Sequence, residues 1–315
     1  MKIVVLPPVD DGHKKILESA CEDAQFIYSD LERVNEEMVH DADVIFGNVP
    51  FELLKKTEKL KLLQLAAAGT DGYIQTLPKG AVLANVTGAF GLAIGEHMLG
   101  VTLMLMKRLH QYRDNQLKHD WRDMGNVNSI EGATVLVLGM GDIGGSYAKK
   151  MKALGAYIIG VRRKDLTKPE YADELYLSSD IDSLLPRADI VAMAMPSMKE
   201  TYRLMDARRL ALLKDGAILV NVGRGNAIDT EALADACENG RISAAIDVTD
   251  PEPLPSDHRL WGMESVVITP HISGFFHLKK TLDNEVDIAA YNICALAKGE
   301  PFRNLVDMET GYLKK

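Results

Sequence analysis

The stretch VLVLGMGDIG, residues 135–144, combines a run of four apolar residues with three glycines spaced as G-x-G-x-x-G. The apolar run predicts a buried strand, and the pattern that follows, as far as Leu154, predicts a helix. In such a turn Gly139 allows the chain to turn tightly, Gly141 lets the backbone approach a pyrophosphate, and Gly144 packs the helix against the strand. We therefore favour a dinucleotide-binding loop over a glycine-rich turn that binds nothing.

The rest of the chain has the alternating strand and helix pattern of a parallel α/β fold. Five short apolar runs come first, at residues 3–6, 25–28, 44–46, 62–65 and 82–84. A long helical stretch at residues 91–118 separates them from six more runs, at residues 134–138, 157–161, 190–193, 217–220, 243–246 and 266–269. Helical patterns lie between the runs, which predicts two doubly wound parallel sheets with helices on both faces.

The second series of strands suggests the domain organisation. Six strands with intervening helices match a dinucleotide-binding Rossmann domain, which we place at residues 98–284. The last helical pattern, residues 279–298, has no strand partner of its own and is expected to pack on the first domain. That domain would then comprise residues 1–97 and 285–315, with a ligand site in the cleft between the two domains.

Composition argues against several classes of protein. The 315 residues have a net charge of −9, so no global basic field exists to attract nucleic acid or an anionic membrane. The first apolar run is too short for a signal peptide or a membrane span, and the longest apolar region, residues 90–106, contains Glu96 and His97. Three scattered cysteines and histidines without ligand spacing predict a cytoplasmic protein with no metal site.

Three cations follow the second strand of the predicted Rossmann domain: Arg162, Arg163 and Lys164. Arg162 lies 18 residues after Gly144 (162 − 144), close to the spacing of about 20 at which an NAD-binding protein usually has an acid that accepts hydrogen bonds from the ribose hydroxyls. Arginine would instead bind the 2′-phosphate of NADP with its fork of donors. The sequence therefore predicts that NADPH is preferred and NAD possible. The alternative is a solvated loop, and Lys164 fits that description by itself.

Three further residues follow the predicted carboxyl ends of the last strands, where open α/β sheets place their chemistry. Arg224 lies between two glycines, Glu252 lies among prolines, and His271 follows a proline. Each alone could be an exposed turn, a loop acid or a helix cap. Together they suit hydride transfer to a 2-oxo acid: Arg224 can polarise the ketone, His271 can donate a proton, and Glu252 can select the histidine tautomer.

The order of four motifs, GMGDIG, NVGRG, DVTDPEPLP and TPHISG, resembles the D-isomer-specific 2-hydroxyacid dehydrogenase family. AAAGTDGY and GEHMLGVTLMLMKR also match the family pattern, so the resemblance covers nearly the whole chain. It implies a flavodoxin-like substrate domain plus a Rossmann domain, and a homodimer formed through the long helix region after Glu96. It also implies Arg224, Glu252 and His271 as catalytic residues. Arg162 is similar to the residue found in the family's NADPH-dependent glyoxylate and hydroxypyruvate reductases.

The resemblance also implies the residues that bind cofactor and substrate. Backbone N–H groups of Ala68, Gly69 and Thr70 would hold the substrate carboxylate together with Arg224, and Asp247 would lie beside the nicotinamide amide. The full set of expected cofactor contacts is Gly139, Gly141, Asp142, Ile143, Gly144, Arg162, Arg163, Pro196, Val222, Asp247, Ser273 and Gly274.

Two segments depart from the family pattern. Ser197 and Met198 replace the usual Leu-Thr after Pro196, which leaves one contact on the phosphate side unassigned. Phe275 and Phe276 replace small or polar residues. These aromatics could narrow the substrate mouth, or they could pack the final helix against the first domain.

We expect the substrate to be a small 2-oxo acid, with glyoxylate or hydroxypyruvate first, and the product to be the D-2-hydroxy acid. A D-3-phosphoglycerate dehydrogenase is the alternative among enzymes, although AAAGTDGY offers no cation for a substrate phosphate. A dinucleotide-sensing, corepressor-like binding protein is the alternative from another class. The residues alone leave the choice of 2-oxo acid open.

Overall fold

The computed structural model describes residues 1–309, 311, 313 and 314, and the chain divides into two compact units. Unit 1 comprises Met1–Phe90 and Phe275–Lys315, and unit 2 comprises Gly91–Gly274. Each unit is built on one parallel sheet with helices connecting its strands. This architecture confirms the predicted α/β fold class.

The sheet of unit 1 has five parallel strands in the order β2-β1-β3-β4-β5, which is the flavodoxin-like order. Its strands are β1 (Lys2–Val5), β2 (Gln25–Tyr28), β3 (Val44–Phe46), β4 (Leu62–Gln64) and β5 (Val82–Ala84). Its helices are α1 (Asp11–Ala20), α2 (Glu36–Val39), α3 (Phe51–Leu54), α4 (Tyr73–Thr76) and α11 (Lys279–Lys298). Alternate residues of β1 enter two different core clusters, Val4 on one face and Val5 on the other. Burial on both faces explains why β1 and β3 contain apolar runs, whereas the edge strand β2 is only partly buried.

The sheet of unit 2 has seven strands in the order β12-β11-β10-β9-β6-β7-β8, all paired in parallel. Its strands are β6 (Thr134–Leu138), β7 (Tyr157–Arg162), β8 (Glu174–Leu177), β9 (Ile190–Met193), β10 (Ile218–Asn221), β11 (Ser243–Ile246) and β12 (Val266–Ile268). Its α-helices are α5 (Gly91–Met106), α6 (Leu109–Leu117), α7 (Asp142–Ala153), α8 (Ile181–Leu184), α9 (Ala207–Ala211) and α10 (Thr230–Cys237). The direction of winding reverses between β6 and β9, so ligands are expected outside the carboxyl end of β6.

Two elements of unit 2 differ from the sequence prediction. Strand β8 was not predicted, because its four residues begin with Glu174 and stay partly exposed at the edge of the sheet, so they form no apolar run. The single helical stretch predicted at residues 91–118 is two helices. Arg108 between them has a left-handed backbone, φ +55, and an L-residue in that conformation interrupts a right-handed helix.

The two units divide after Phe90 and after Gly274. Both positions come earlier in the chain than the predicted domain boundaries, which follow residues 97 and 284. Both predicted boundaries lie inside continuous helices, α5 and α11. In unit 2, Gly95 lies against Ser146 of α7, and Thr102 Oγ1 of α5 is 2.9 Å from Tyr147 OH. In unit 1, Val286 of α11 lies in the core. The chain therefore leaves unit 1 at the start of α5 and returns to it at Phe275, four residues before α11 begins.

Glu285 is a charged residue type placed in the core of unit 1. Its side chain is on the inner side of α11, is 0% exposed, and has no hydrogen-bond partner for either oxygen among the described residues. Burial raises the pKa of this carboxyl group to about 8. The folded protein therefore holds the Glu285 proton at neutral pH, whereas the unfolded chain releases it.

Stability is expected to fall as pH rises from about 4.3, the pKa of an unfolded glutamate, through the raised pKa of the folded state. Glu285→Gln removes this proton linkage. We expect the free energy of unfolding of the wild type to drop relative to that of Glu285→Gln by about 3 kcal/mol between pH 5 and pH 8. Denaturant unfolding at the two pH values measures the difference. Asp287→Asn, at an exposed position of the same helix, is the control, and equal pH slopes in wild type and Glu285→Gln would contradict the prediction.

Candidate active site

The three glycines of the loop have the geometry expected of a dinucleotide-binding turn. Gly139 has φ +96, and a Cβ there would lie 2.7 Å from the carbonyl oxygen of Ala194. A Cβ on Gly144 would collide with the carbonyl oxygen of Gly139, so this glycine is needed where α7 packs on β6. At Gly141 no heavy atom lies within 4 Å of the Cβ position. The start of α7 is therefore open on that side, which fits a bound pyrophosphate.

Arg162 ends strand β7 directly beside the glycine loop. Its Nε atom donates to the carbonyl oxygen of Met140 at 3.2 Å, and Nη1 donates to that of Thr167 at 3.1 Å. Asp165 is 3.6 Å from Nη1, so one carboxylate already faces the guanidinium. The neighbouring Arg163 is exposed, and its Nη1 lies 3.9 Å from Met198 Sδ. Arg162 therefore lies against the glycine loop, and Arg163 lies against the segment that follows β9.

The segment after β9 contains Pro196 and the two residues that depart from the family pattern. Ser197 Oγ accepts a hydrogen bond from Asn226 Nδ2 at 2.9 Å, and Met198 N donates to Thr201 Oγ1 at 2.9 Å. These bonds are internal to the segment and the turn after β10, so the structure gives Ser197 a local partner.

Arg224 is held between two glycines that pack tightly against neighbouring backbone. A Cβ on Gly223 would lie 2.5 Å from the Met195 carbonyl oxygen, and one on Gly225 would overlap the backbone of Thr249. The Arg224 Nη1 atom donates to the Gly223 carbonyl oxygen at 2.8 Å. The two glycines of N-V-G-R-G are therefore a steric requirement of the turn after β10, and this turn places the arginine at the carboxyl end of the sheet.

His271 and Glu252 form the most specific contact of the site. The His271 Nδ1 atom lies 2.6 Å from Glu252 Oε1, and both side chains are close to half exposed. They follow β12 and β11, which are neighbours in the sheet, and β10 with Arg224 is next in order. The structure thus joins the predicted histidine and glutamate and places them and Arg224 after three adjacent strands.

Asp247, expected beside the nicotinamide, is 3% exposed, and its carboxylate accepts hydrogen bonds from the segment that follows β12. Its Oδ1 accepts from Thr269 Oγ1 at 2.5 Å and from Ile272 N at 3.0 Å. Its Oδ2 accepts from Ser273 N at 3.1 Å and from the Ser273 hydroxyl. These bonds stabilise the turn that precedes Gly274.

A family model described as the NAD-binding domain of D-isomer-specific 2-hydroxyacid dehydrogenases matches residues 99–273. The chain belongs to this family. It is an NAD(P)-dependent dehydrogenase.

Individual relatives show the breadth of the family. The chain is 28% identical to a glyoxylate reductase of Thermofilum pendens, over 98% of this chain and 95% of that protein. It is 31% identical to a D-3-phosphoglycerate dehydrogenase of Methanocaldococcus jannaschii, over 98% of this chain but 60% of that longer protein. Among solved structures, a D-isomer-specific 2-hydroxyacid dehydrogenase of Xanthobacter autotrophicus in complex with NADPH and MES is 25% identical, with a TM-score of 0.82 and 99% of each chain covered.

In this dehydrogenase the predicted substrate loop, Ala68-Gly69-Thr70, follows β4 in unit 1. The Ala68 carbonyl oxygen accepts from Asn85 Nδ2 at 2.9 Å, and Thr70 Oγ1 donates to the Gly311 carbonyl oxygen at 3.3 Å. These two bonds involve the Ala68 carbonyl oxygen and the Thr70 hydroxyl group. Neither of them involves the backbone N–H groups that the resemblance assigns to the substrate carboxylate.

The two aromatic residues after the last motif have different environments in unit 1. Phe276 packs against the core cluster that contains Val286, as expected if it anchors the final helix. Phe275 is 51% exposed, and its ring centroid lies 5.8 Å from that of His277. The packing interpretation therefore holds for Phe276, while Phe275 presents an apolar surface to solvent.

Two residues that adjoin the site of the dehydrogenase, His97 and Thr269, were not predicted from the sequence. The His97 Nε2 atom of α5 lies 3.3 Å from Thr269 Oγ1, which contacts Asp247. Burial lowers the pKa of His97, and the opposing charge of Asp247 acts in the other direction. A histidine inside an apolar helical run was the available signal, because a polar residue in such a run needs a partner.

In the part of the chain that the structure describes, no group of three His, Cys, Asp or Glu residues is placed to hold a metal ion. Within the same residues, no helix has the length and apolar character needed to cross a membrane.

Proposed function

We propose that this dehydrogenase reduces a small 2-oxo acid to the D-2-hydroxy acid with NADPH, and that glyoxylate and hydroxypyruvate are its first candidate substrates. The 2.6 Å contact between His271 Nδ1 and Glu252 Oε1, after strands adjacent to the one that positions Arg224, is the observation on which this proposal depends most. Similarity to a protein named glyoxylate reductase supports the substrate class.

The His271–Glu252 contact determines which ring nitrogen can transfer a proton. Glu252 as a carboxylate can only accept, so His271 Nδ1 must carry a proton that it donates to Glu252. The imidazolium then has its second proton on Nε2, available for the oxygen of the reduced ketone. After transfer the ring is the neutral tautomer that Glu252 stabilises.

Arg224 is proposed to bind the substrate and polarise it. A guanidinium stays charged at every working pH and presents parallel donors that match a carboxylate or a 2-oxo acid. As negative charge grows on the ketone oxygen, the fixed positive charge of Arg224 stabilises it. The bound nicotinamide supplies the hydride.

The remaining binding residues are proposed as the resemblance implies. Ala68, Gly69 and Thr70 bind the substrate carboxylate through backbone N–H groups. The glycine loop with Asp142 and Ile143 binds the pyrophosphate. The other cofactor contacts are Arg162, Arg163, Pro196, Val222, Asp247, Ser273 and Gly274.

A preference for NADPH is proposed from the position and charge of Arg162. We expect kcat/KM for NADPH to exceed that for NADH by about tenfold or more, since a phosphate adds charge-assisted bonds. Arg162→Asp removes the donors and repels the 2′-phosphate, so the NADPH/NADH ratio of kcat/KM is expected to fall by about 30-fold or more. Initial rates at limiting cofactor measure both ratios.

Lys164→Asp is the matched control, because it makes the same change of charge at an exposed position two residues further on. Its NADPH/NADH ratio is expected to stay within about threefold of that of the wild type, as surface charges are screened. An unchanged ratio in Arg162→Asp, or an equal change in Lys164→Asp, would show that Arg162 does not contact the phosphate.

The substrate is tested by comparing rates with glyoxylate, hydroxypyruvate, 3-phosphohydroxypyruvate and a bulkier 2-oxo acid. Fastest turnover of a small unphosphorylated acid supports the proposal. Fastest turnover of 3-phosphohydroxypyruvate would favour the second candidate, a D-3-phosphoglycerate dehydrogenase, which the relative from Methanocaldococcus jannaschii supports. No cofactor oxidation with any of them would favour the alternative of a dinucleotide-sensing binding protein.

We also propose that the chain forms a homodimer through the long helix region after Glu96. Five large apolar side chains are exposed within a short span of unit 2: Leu109, Tyr112, Leu117, Trp121 and Val127. Apolar side chains clustered in this way commonly mark a protein interface. The proposed location in the cytoplasm stays a prediction.

Sedimentation velocity at micromolar concentration is expected to show a dimer, and Trp121→Asp to raise its dissociation constant by about tenfold or more, since tryptophans dominate interface energies. Leu31→Asp is the control, because Leu31 is also an exposed apolar side chain but belongs to unit 1. A wild-type monomer at these concentrations would refute the dimer.

A further inference from the structure

Three polar side chains outside the proposed catalytic set form a chain of hydrogen bonds in unit 2. His97 lies on α5, Asp247 follows β11, and Thr269 follows β12. The His97 Nε2 atom is 3.3 Å from Thr269 Oγ1, which is 2.5 Å from Asp247 Oδ1. These residues are distant in sequence, and the packing of α5 on the sheet near β11 brings them together.

The chemistry of the three groups sets the direction of the hydrogen bonds. An ionised carboxylate can only accept, so the Thr269 hydroxyl donates to Asp247. The Thr269 oxygen is then an acceptor for His97, which requires a proton on Nε2 of the imidazole. Burial lowers the pKa of His97, which favours the neutral ring at pH 7 and makes this a definite tautomer.

Asp247 in turn holds the backbone at the proposed proton donor. Its carbonyl oxygen accepts from His271 N at 2.8 Å, and its side chain accepts from the N–H groups of Ile272 and Ser273. His271 has a left-handed backbone, φ +52, which is unfavourable for a residue with a Cβ and persists only when neighbouring contacts enforce it. The bonds of Asp247 provide that enforcement.

We propose that His97 is a positioning residue: its Nε2–H orients Thr269 and Asp247 so that they keep His271 in the conformation that donates the proton. The inference rests on the proposed function, because it concerns the proton step of that reaction. A leucine at position 97 would leave the Thr269 oxygen without its donor and allow the hydroxyl to rotate away from Asp247.

The test uses four variants of the full chain: His97→Leu, His97→Gln, Thr269→Val and the double variant of His97→Leu with Thr269→Val. Glutamine keeps an N–H donor near the position of Nε2. His110→Leu is the control, since His110 Nε2 also bonds to unit 2, at the Glu264 carbonyl oxygen 2.8 Å away, but has no link to Asp247. The readouts are kcat, substrate KM, NADPH affinity by fluorescence, ring tautomer by nitrogen NMR, and hydrogen exchange of residues 271–274.

We expect His97→Leu to lower kcat by about tenfold to 100-fold, as small misplacements of a catalytic group do, with NADPH affinity and KM within about threefold of wild type. His97→Gln should recover most of the loss, and the double variant should be no worse than either single one, because both break one chain of bonds. Exchange of residues 271–274 should be faster in His97→Leu and unchanged in His110→Leu.

The inference is overturned if His97 carries its proton on Nδ1, if His97→Leu keeps the wild-type kcat, or if leucine and glutamine have equal effects. Additive losses in the double variant would also overturn it. If the wild type itself reduces no 2-oxo acid, the proposed function fails. The tautomer and the exchange rates still decide whether His97 holds this segment.

Discussion

Replacing His271 by asparagine is expected to lower kcat/KM for a 2-oxo acid by about 100- to 10,000-fold, because an amide cannot transfer a proton to the substrate oxygen. Asparagine preserves most of the local structure. Its amide N–H₂ can still donate to Glu252, and asparagine tolerates the left-handed backbone, φ +52, that His271 adopts. The loss should therefore report the proton step, without a contribution from a rearranged turn.

The variant is measured by steady-state kinetics together with NADPH affinity, which should be unchanged within about threefold if only the proton step is lost. His258→Asn is the control: its ring Nε2 also bonds to a glutamate, Glu231 at 3.2 Å, but it lies outside the proposed site. Activity of His271→Asn within tenfold of wild type would require another proton donor.

Replacing Arg224 by lysine is expected to lower kcat/KM by about 100- to 1,000-fold, although the charge is conserved. Lysine is a point charge on a flexible stem and cannot contact two oxygens with parallel donors. The turn itself should be unaffected, because its tight contacts involve the backbone of Gly223 and Gly225. Arg224→Met, which removes the charge as well, should lose more.

The division of the loss between kcat and KM shows what Arg224 does. A rise in KM alone would mean that it only binds the substrate, and an equal fall in kcat and kcat/KM would mean that it acts on the transition state. Arg241→Lys is the control, since its guanidinium donates to the carbonyl oxygens of Leu213 and Leu210 and lies 3.7 Å from Asp215, outside the proposed site. Near wild-type kinetics in Arg224→Lys would remove Arg224 from the proposed mechanism.

Features that depend on neighbours in sequence could be predicted. The glycine loop is one, because the left-handed φ at Gly139 and the close approach at Gly144 arise within a single strand–turn–helix unit. The two parallel sheets are another, because strands buried on both faces must be continuous apolar runs. Strand β8 and the break at Arg108 were not predicted. A partly exposed edge strand has no continuous apolar run, and a left-handed arginine has no distinctive sequence pattern.

The sequence by itself determined the α/β class and the glycine loop. It also predicted that Arg224, Glu252 and His271 lie near one another, because the carboxyl ends of parallel strands share one edge of a sheet. Only the tertiary structure decided that His271 and Glu252 are 2.6 Å apart, that His97 reaches Asp247 through Thr269, and that Glu285 is buried without a partner. The physical reason is that burial and hydrogen bonding depend on which distant segments pack together. Local sequence patterns specify elements of secondary structure, and they do not specify the side chains that those elements bring into contact.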